Sequence, residues 1–127
     1  EFILPIHPNP NVSKHRNLLK HVNVVDAIEY DEFINLLSQC KFVITDSGGL
    51  QEESSFFRKK CIVCRETTER VEGMGTFSYL SATPDDLADL VAWVNDNHIP
   101  DPKEQCPYGD GHAAMKICKI LKEKHGF

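Results

Sequence analysis

The sequence predicts an α/β fold of the doubly wound, Rossmann-like class, in which helices cover both faces of a parallel sheet. Three observations lead to this prediction. Short apolar, β-branched stretches alternate with helical stretches along the 127 residues. The connections between them are short, which favours parallel strands joined by crossover helices. The paired glycines Gly48 and Gly49 follow the apolar run 42–44 closely, so they mark a turn from a strand into a helix.

Length, charge and hydropathy narrow the class of protein. A chain of this length is expected to fold as one domain, residues 1–127. A net charge of −5 without a dense basic run argues against a nucleic-acid partner. No apolar stretch is long enough for a membrane span, and no signal peptide opens the chain, so a soluble, cytoplasmic protein is expected. The chain starts at Glu1 on an apolar run, which suggests a fragment cut at a domain boundary.

The first half of the chain is expected to contain three strands and three helices. The strands are expected at 2–6, 22–28 and 42–44, and the helices at 12–20, after Asp31, and at 50–57. Asp31 is of a type that caps helices. The helix behind it carries an apolar stripe with i, i+3, i+4, i+7 spacing, which predicts a face turned to the core. That stripe consists of Phe33, Leu36, Leu37 and Cys40.

The second half is expected to hold two strands, a long polar loop and two helices. The strands are expected at 61–64 and 76–80, with the loop at 65–75 between them. Thr83-Pro84-Asp85-Asp86 predicts a helix start, with a capping threonine, a proline in the first position and acids in the first turn. Residues 100–111 are the one linker candidate, and an amphipathic helix follows them. The apolar faces of the two helices are Leu87, Leu90, Val91 and Val94, and Ala114, Ile117, Cys118 and Leu121.

The five cysteines predict neither a disulfide framework nor a metal site. Cys61 and Cys64 form a Cys-x-x-Cys pair, but they lie in an expected strand, where residues three apart point to opposite faces. Both are therefore interpreted as core residues. No metal and no cofactor is predicted.

The glycine motif is the first candidate site. The first turn of a helix has unpaired N–H groups and the positive end of the helix dipole, and glycine lets a phosphate approach the backbone. Ser47, Gly48 and Gly49 are therefore predicted to face a phosphate or diphosphate. Glu53 lies one turn beyond Gly49, where a carboxylate can accept hydrogen bonds from sugar hydroxyls. The alternative is a turn that only reverses the chain.

Loops at the carboxyl ends of the strands are the expected place for a ligand. Three loops should meet there, at 7–11, 46–49 and 65–75. The third contains Arg70, and arginine suits the phosphates or ring edges of a nucleotide because its guanidinium is planar and always charged. The alternative for such a loop is simple solvation of its charges.

Three motifs resemble one enzyme family. Residues 43–70 (VITDSGGLQEESSFFRKKCIVCRETTER), His-Pro-Asn-Pro-Asn-Val at 7–12 and Pro-Tyr-Gly-Asp-Gly at 107–111 are similar, in the same order, to the C-terminal domain of the non-hydrolysing UDP-N-acetylglucosamine 2-epimerases. The resemblance implies half of a two-domain, GT-B-type architecture whose N-terminal domain is absent from the chain. It also implies a homodimer in the full-length enzyme and a role in cell-surface polysaccharide biosynthesis.

The resemblance also implies a reaction and roles for residues. The family interconverts UDP-GlcNAc and UDP-ManNAc by eliminating UDP and adding it back on the opposite face of the sugar. Its catalytic carboxylates belong mainly to the other domain, so no catalytic residue is expected here, although His7 matches a residue of the cleft near the sugar and a second nucleotide-sugar site. The UDP-binding residues would be Ile28, Phe33, Ser47, Gly48, Gly49, Glu53 and Arg70.

Alternatives remain for single residues and for the whole chain. Phe33 also fits the core stripe, and His7 also fits a turn. The chain would serve equally as the nucleotide-binding half of a UDP-sugar glycosyltransferase, or as a module that binds UDP and catalyses nothing. Arg58 and Lys60 depart from the family's glycine and proline, which should alter only a surface turn. The loop after Arg70 is shorter than in the family.

Overall fold

A computed structural model of the protein describes residues 1–126. The chain forms two compact units, Glu1–Leu36 and Leu37–Phe127. Every pair of hydrogen-bonded strands in the described residues is parallel, so the predicted parallel α/β class is confirmed. No helix within residues 1–126 is both long and apolar enough to cross a membrane.

The first unit contains two paired strands. Strand β1 (Ile3–Pro5) lies beside β2 (Asn23–Val25), with Ile3 opposite Asn23. Both strands are shorter than predicted. The helix predicted at 12–20 is wrong in its extent: α1 is a single turn (Pro10–Ser13) capped by the Asn9 side chain, and Arg16–Leu18 forms a 3₁₀ turn. The stretch has no apolar stripe before Leu18, so a longer helix would have no face to bury.

Helix α2 (Tyr30–Gln39) follows and runs across the boundary of the two units. It begins before Asp31, so that residue lies in the first turn and is not the cap that was predicted. A carboxylate there still favours the helix, because the N-terminal end of the helix dipole is positive. Within the predicted apolar stripe, Leu37 is buried and Phe33, Leu36 and Cys40 are half-buried.

The second unit is built on a three-stranded parallel sheet in the order β3-β4-β5. Its strands are β3 (Val43–Thr45), β4 (Cys61–Val63) and β5 (Ser78–Leu80). All three residues of the central strand β4 are completely buried, as expected for a strand with neighbours on both edges and cover on both faces. Phe77 and Val94 join them in the core.

The second unit also contains three helices, α3 (Gly48–Phe56), α4 (Pro84–Asp96) and α5 (Ala113–His125). The predicted start of α4 is confirmed, because the Thr83 hydroxyl accepts the Asp86 N–H and the Asp86 carboxylate accepts the Thr83 N–H, at 3.2 and 3.0 Å. Val94 is its one fully buried position. The apolar face predicted for α5 is exposed, with Ile117 and Leu121 at 56% and 41%.

Arg58 and Lys60, the two residues before β4 that differ from the glycine and proline of the resembling family, lie in different surroundings. Arg58 has a φ of +56°, a left-handed backbone conformation that glycine adopts with less strain than any other residue. Its side chain lies at the surface, as expected. Lys60 contradicts the expectation of a mere surface change. It is only 7% exposed, and its ammonium lies 4.5 Å from the centre of the Trp93 ring and 5.5 Å from that of Tyr79. These aromatic faces compensate part of the desolvation cost, and burial lowers the pKa of Lys60.

Candidate functional site at the start of α3

The glycine motif forms the turn from β3 into α3. Strand β3 ends at Thr45 and the helix begins at Gly48, one residue after the N-cap Ser47. The Ser47 side chain makes no capping hydrogen bond, while its N–H donates to Thr45 Oγ1 at 3.0 Å. Because N–H groups in a first turn have no acceptor inside the helix, this uncapped start is suited to an anion. The helix start predicted from the sequence, residue 50, is two residues too late.

The two glycines have different surroundings. Gly48 is buried, and a Cβ added to it would lie 2.6 Å from Glu69 Oε1 and 3.2 Å from Arg70 Cζ. Gly49 is exposed, and a Cβ there would meet only Ser47 Oγ, at 3.9 Å. The first glycine therefore makes room for the protein's own charged loop. The second leaves its backbone open to solvent, where a phosphate can approach.

Arg70 lies beside this helix start and is held by two carboxylates. Its Nε donates to Glu52 Oε1 at 2.8 Å and its Nη1 to Glu69 Oε1 at 2.5 Å. The second oxygen of Glu69 pairs with Arg65 Nη1 at 3.2 Å. The hydrogen bond to Glu52, together with the attraction of both acids, raises the pKa of Arg70. A hydrogen bond from its own backbone N–H and the two arginines lower the pKa of Glu69.

Helix α3 is also tied to the Arg70 loop through uncharged groups. Gln51 is completely buried, and its Nε2 donates to Thr68 Oγ1 at 2.9 Å. The same hydroxyl accepts the backbone N–H of Arg70 at 3.1 Å. Farther along the chain, the Tyr108 hydroxyl accepts the Gly73 N–H and donates to the Arg70 carbonyl, at 3.2 and 3.1 Å. These contacts fix the loop against the helix start.

Among the predicted site residues of the second unit, the structure brings Gly48 and Arg70 together. Ser47 is half-buried at the cap and Gly49 is exposed beside it. Glu53 is half-buried in α3, four residues beyond Gly49, and its contact with a ribose stays a prediction.

The remaining predicted residues belong to the first unit. His7 is exposed, and its Nδ1 accepts the Asn9 N–H at 3.1 Å, which is the turn role given as its alternative. Ile28 is half-buried between β2 and α2, and Phe33 is half-buried in the first turns of α2. Their contact with a nucleoside also stays a prediction.

Five residues around Arg70 were not identified as site components from the sequence. Glu52, Glu69, Gln51 and Thr68 lie inside the motif string that was singled out. Nothing in the local pattern indicates that Gln51 pairs with Thr68, 17 residues away, or Glu52 with Arg70, 18 residues away, while Glu69 pairs with its neighbour Arg70. Tyr108 lies 38 residues from Arg70. Its only signal was the Pro-Tyr-Gly-Asp-Gly motif, which carried a resemblance without a role.

Only one cysteine of the pair is the core residue that was predicted. Cys61 is completely buried in β4, but Cys64 lies one residue beyond the end of that strand and is exposed, so its prediction as a core residue is wrong. Burial raises the pKa of the Cys61 thiol to about 12. Within residues 1–126, no group of three or more His, Cys, Asp and Glu side chains is arranged to hold a metal ion.

A parallel α/β fold with a glycine-lined helix start at the end of a strand defines a Rossmann-like domain, a class in which such a helix start is the usual place for an anionic ligand. The sequence model of the UDP-N-acetylglucosamine 2-epimerase family matches residues 1–122. The chain belongs to that family.

Individual relatives agree with this assignment. The chain is 36% identical to the UDP-N-acetylglucosamine 2-epimerase of Campylobacter jejuni over 130 residues, covering 95% of this chain and 34% of the relative. It matches the crystal structure of UDP-GlcNAc 2-epimerase from Neisseria meningitidis bound to UDP-GlcNAc with a TM-score of 0.75 and 31% identity, over 98% of this chain and 36% of the other. For the S. aureus MnaA-UDP co-structure, the TM-score is 0.79 and the identity 28%, over 95% and 35% of the two chains. The chain thus spans about a third of the length of these relatives.

Proposed function

We propose that this chain is the UDP-binding part of an enzyme that interconverts UDP-GlcNAc and UDP-ManNAc by eliminating UDP and adding it back. The observation that carries the proposal is the meeting of Arg70 with the uncapped start of α3 at Gly48. A guanidinium next to the unpaired N–H groups of a helix start offers the two kinds of donor that bind a phosphate or diphosphate. Relatives bound to UDP and to UDP-GlcNAc support this choice of ligand.

Each residue then has a defined role toward the nucleotide. The N–H groups of Ser47, Gly48 and Gly49 would bind the diphosphate, and Arg70 would contribute charge once it exchanges a carboxylate partner for the ligand. Glu53 would accept hydrogen bonds from the ribose hydroxyls, and Ile28 and Phe33 would contact the base. Preorganised N–H groups favour departure of UDP, because they stabilise the negative charge that develops on it as the bond to the sugar breaks.

The rest of the enzyme would come from elsewhere. We infer that an N-terminal domain supplies the catalytic carboxylates and the other wall of the cleft, and that the full-length enzyme is a cytoplasmic homodimer. It would provide a sugar nucleotide for cell-surface polysaccharide. Coverage of about a third of each relative supports the existence of such a missing part.

A titration with two nucleotides tests the proposal. Calorimetry with this chain should show UDP binding with a Kd of about hundreds of micromolar, and clearly weaker binding of UMP, which lacks the second phosphate. Arg70→Met should weaken UDP binding more than it weakens uridine binding, since uridine has no phosphate. Equal affinities for UDP and UMP would show that the helix start does not bind a diphosphate. No binding of any of these ligands would overturn the proposed function itself.

A further inference from the structure

The Tyr108 hydroxyl makes two hydrogen bonds to the backbone of the Arg70 loop. It donates to the Arg70 carbonyl at 3.1 Å and accepts the Gly73 N–H at 3.2 Å. A tyrosine hydroxyl can donate one hydrogen bond, and Tyr108 donates it to the backbone carbonyl of Arg70. The ring thus connects the segment around residue 108 to the loop that carries the arginine.

Gly73 is shaped for this contact. It is buried, and a Cβ added to it would lie 3.1 Å from the Tyr108 hydroxyl oxygen and 3.5 Å from the ring carbon Cε2. A side chain at residue 73 would therefore require the Tyr108 hydroxyl to move by a few tenths of an ångström. A tyrosine hydroxyl is ordinarily protonated at neutral pH and is therefore a donor, and burial raises the pKa of Tyr108 above its ordinary value.

The segment that carries Tyr108 is itself anchored. Arg58 donates through Nη2 to the carbonyl of Asp101 at 2.8 Å and through Nη1 to that of Glu104 at 2.6 Å. On the other side of the tyrosine, Asp110 pairs with Lys116 of α5 at 3.0 Å. A tyrosine held from both sides can transmit that fixed position to the loop it contacts.

Both backbone polar groups of Arg70 are consequently hydrogen-bonded. Its N–H donates to Thr68 Oγ1 and its carbonyl accepts from Tyr108. The guanidinium has separate partners, Glu52 and Glu69, so different groups hold the backbone and the side chain of Arg70.

We propose that Tyr108 is a positioning residue for Arg70, which sets the direction in which the guanidinium leaves the loop toward the start of α3. This inference rests on the proposed binding of UDP at that helix start. Tyr108 need not touch the nucleotide. Its effect is to reduce the number of backbone conformations that Arg70 must give up when it binds a phosphate, which is an entropic saving in the binding step.

The test is Tyr108→Phe, which removes one oxygen and keeps the ring. Tyr79→Phe is the matched control, because the Tyr79 hydroxyl also donates to loop backbone, sharing its one proton between the carbonyls of Gly75 and Thr76 at 3.2 and 3.1 Å. Tyr108→Phe should raise the Kd for UDP by about three- to tenfold, the range for loss of a neutral hydrogen bond. Tyr79→Phe should leave it within about twofold.

A double mutant separates positioning from general stability. In an Arg70→Met background, Tyr108→Phe should have little further effect on UDP affinity, since its influence acts through the arginine. The Arg70 Nε–H signal in ¹⁵N spectra should shift or broaden in Tyr108→Phe and stay unchanged in Tyr79→Phe.

The outcomes distinguish this inference from the function on which it rests. An additive loss in the Arg70→Met background would overturn the inference, as would an unchanged Kd in Tyr108→Phe when Arg70→Met alone weakens binding. Failure of the wild-type chain to bind UDP would instead count against the proposed function.

Discussion

The Glu69 carboxylate lies against Gly48, the first residue of α3, so closely that a Cβ on that glycine would be 2.6 Å from Glu69 Oε1. A negative charge therefore lies beside the helix start to which the anion-binding role is assigned. The same carboxylate pairs with Arg70. If a phosphate binds here as proposed, Glu69 would compete with it in two ways, by like-charge repulsion and by holding the guanidinium that the phosphate would use.

Replacing Glu69 with glutamine should consequently strengthen UDP binding. Glu69→Gln removes the charge but not the bulk, and Glu52 still holds Arg70 through Nε. We expect the Kd for UDP to fall by roughly two- to fivefold at low salt, with a smaller gain at high salt because ions screen the repulsion. Glu66→Gln is the control, since Glu66 is an exposed acid of the same loop. An unchanged or higher Kd in Glu69→Gln would contradict the competition.

Substitutions of Gly49 should change UDP binding without lowering the stability of the fold. A Cβ there meets only Ser47 Oγ at 3.9 Å, so Gly49→Val is expected to leave the fold intact and to abolish UDP binding by blocking the phosphate. Gly49→Ala should even raise the free energy of unfolding by about 0.5 kcal/mol, because alanine favours a helix over glycine. Calorimetry and urea unfolding measure the two effects.

The matched control for that pair is Ala88→Val, an equally exposed change within α4. It should have no effect on UDP affinity. If Gly49→Val binds UDP as tightly as the wild type does, the phosphate does not lie over this glycine.

Thr68 is expected to matter for stability because a buried amide depends on it. Thr68→Val keeps the shape of the side chain but removes the hydroxyl that pairs with the buried Gln51 amide at 2.9 Å. An unsatisfied buried polar group costs about 1 to 3 kcal/mol, and the free energy of unfolding in urea should fall by that amount. Thr67→Val, at an exposed neighbouring position, should change it by less than about 0.5 kcal/mol. Equal losses in both variants would show that the Gln51 contact is not responsible.

Features that depend on neighbouring residues could be predicted from the sequence, whereas contacts between residues far apart in the chain could not. The Thr83 capping box and the buried strand β4 could be predicted because both are encoded within a few neighbouring residues. The surroundings of Arg70 could not, because its partners come from α3 and from the segment of Tyr108, 18 and 38 residues away. The prediction for Lys60 was wrong for a related reason: a lysine next to a strand is typically solvated, and only the fold brings Trp93 over it.

Asp110 provides a prediction about pH. The hydrogen bond from Lys116, followed by the one from the His112 N–H, lowers the pKa of Asp110 from 3.8 to about 2. A carboxyl group with a lowered pKa stabilises the fold above its ordinary pKa, and this contribution is lost as the pH falls from near 4 toward 2. Titration of the side-chain carboxyl by ¹³C NMR should give a midpoint near 2. Lys116→Met should move the midpoint back up, and an unchanged midpoint would show that Lys116 is not the main cause.

The last prediction is that this chain, tested by itself, does not epimerise UDP-GlcNAc. Inversion at carbon 2 requires a base within hydrogen-bond reach of the sugar in a closed, water-poor cleft. The acids near the glycine motif are poorly suited to act as that base, because Asp46, Glu66 and Glu69 are exposed and Glu52 is engaged by Arg70. Its own backbone N–H and its arginine neighbours lower the pKa of Glu69, which makes it a weaker base still.

Deuterium exchange measures this directly. The chain is incubated with UDP-GlcNAc in heavy water, and the carbon 2 proton of the sugar is followed by NMR. We expect loss of that proton at the rate of a protein-free sample, while a full-length epimerase of the family, run in parallel as the positive control, exchanges it rapidly. Exchange well above the protein-free rate would place a catalytic base within these residues, and Glu53→Gln would then be the first variant to test, because Glu53 is half-buried in α3.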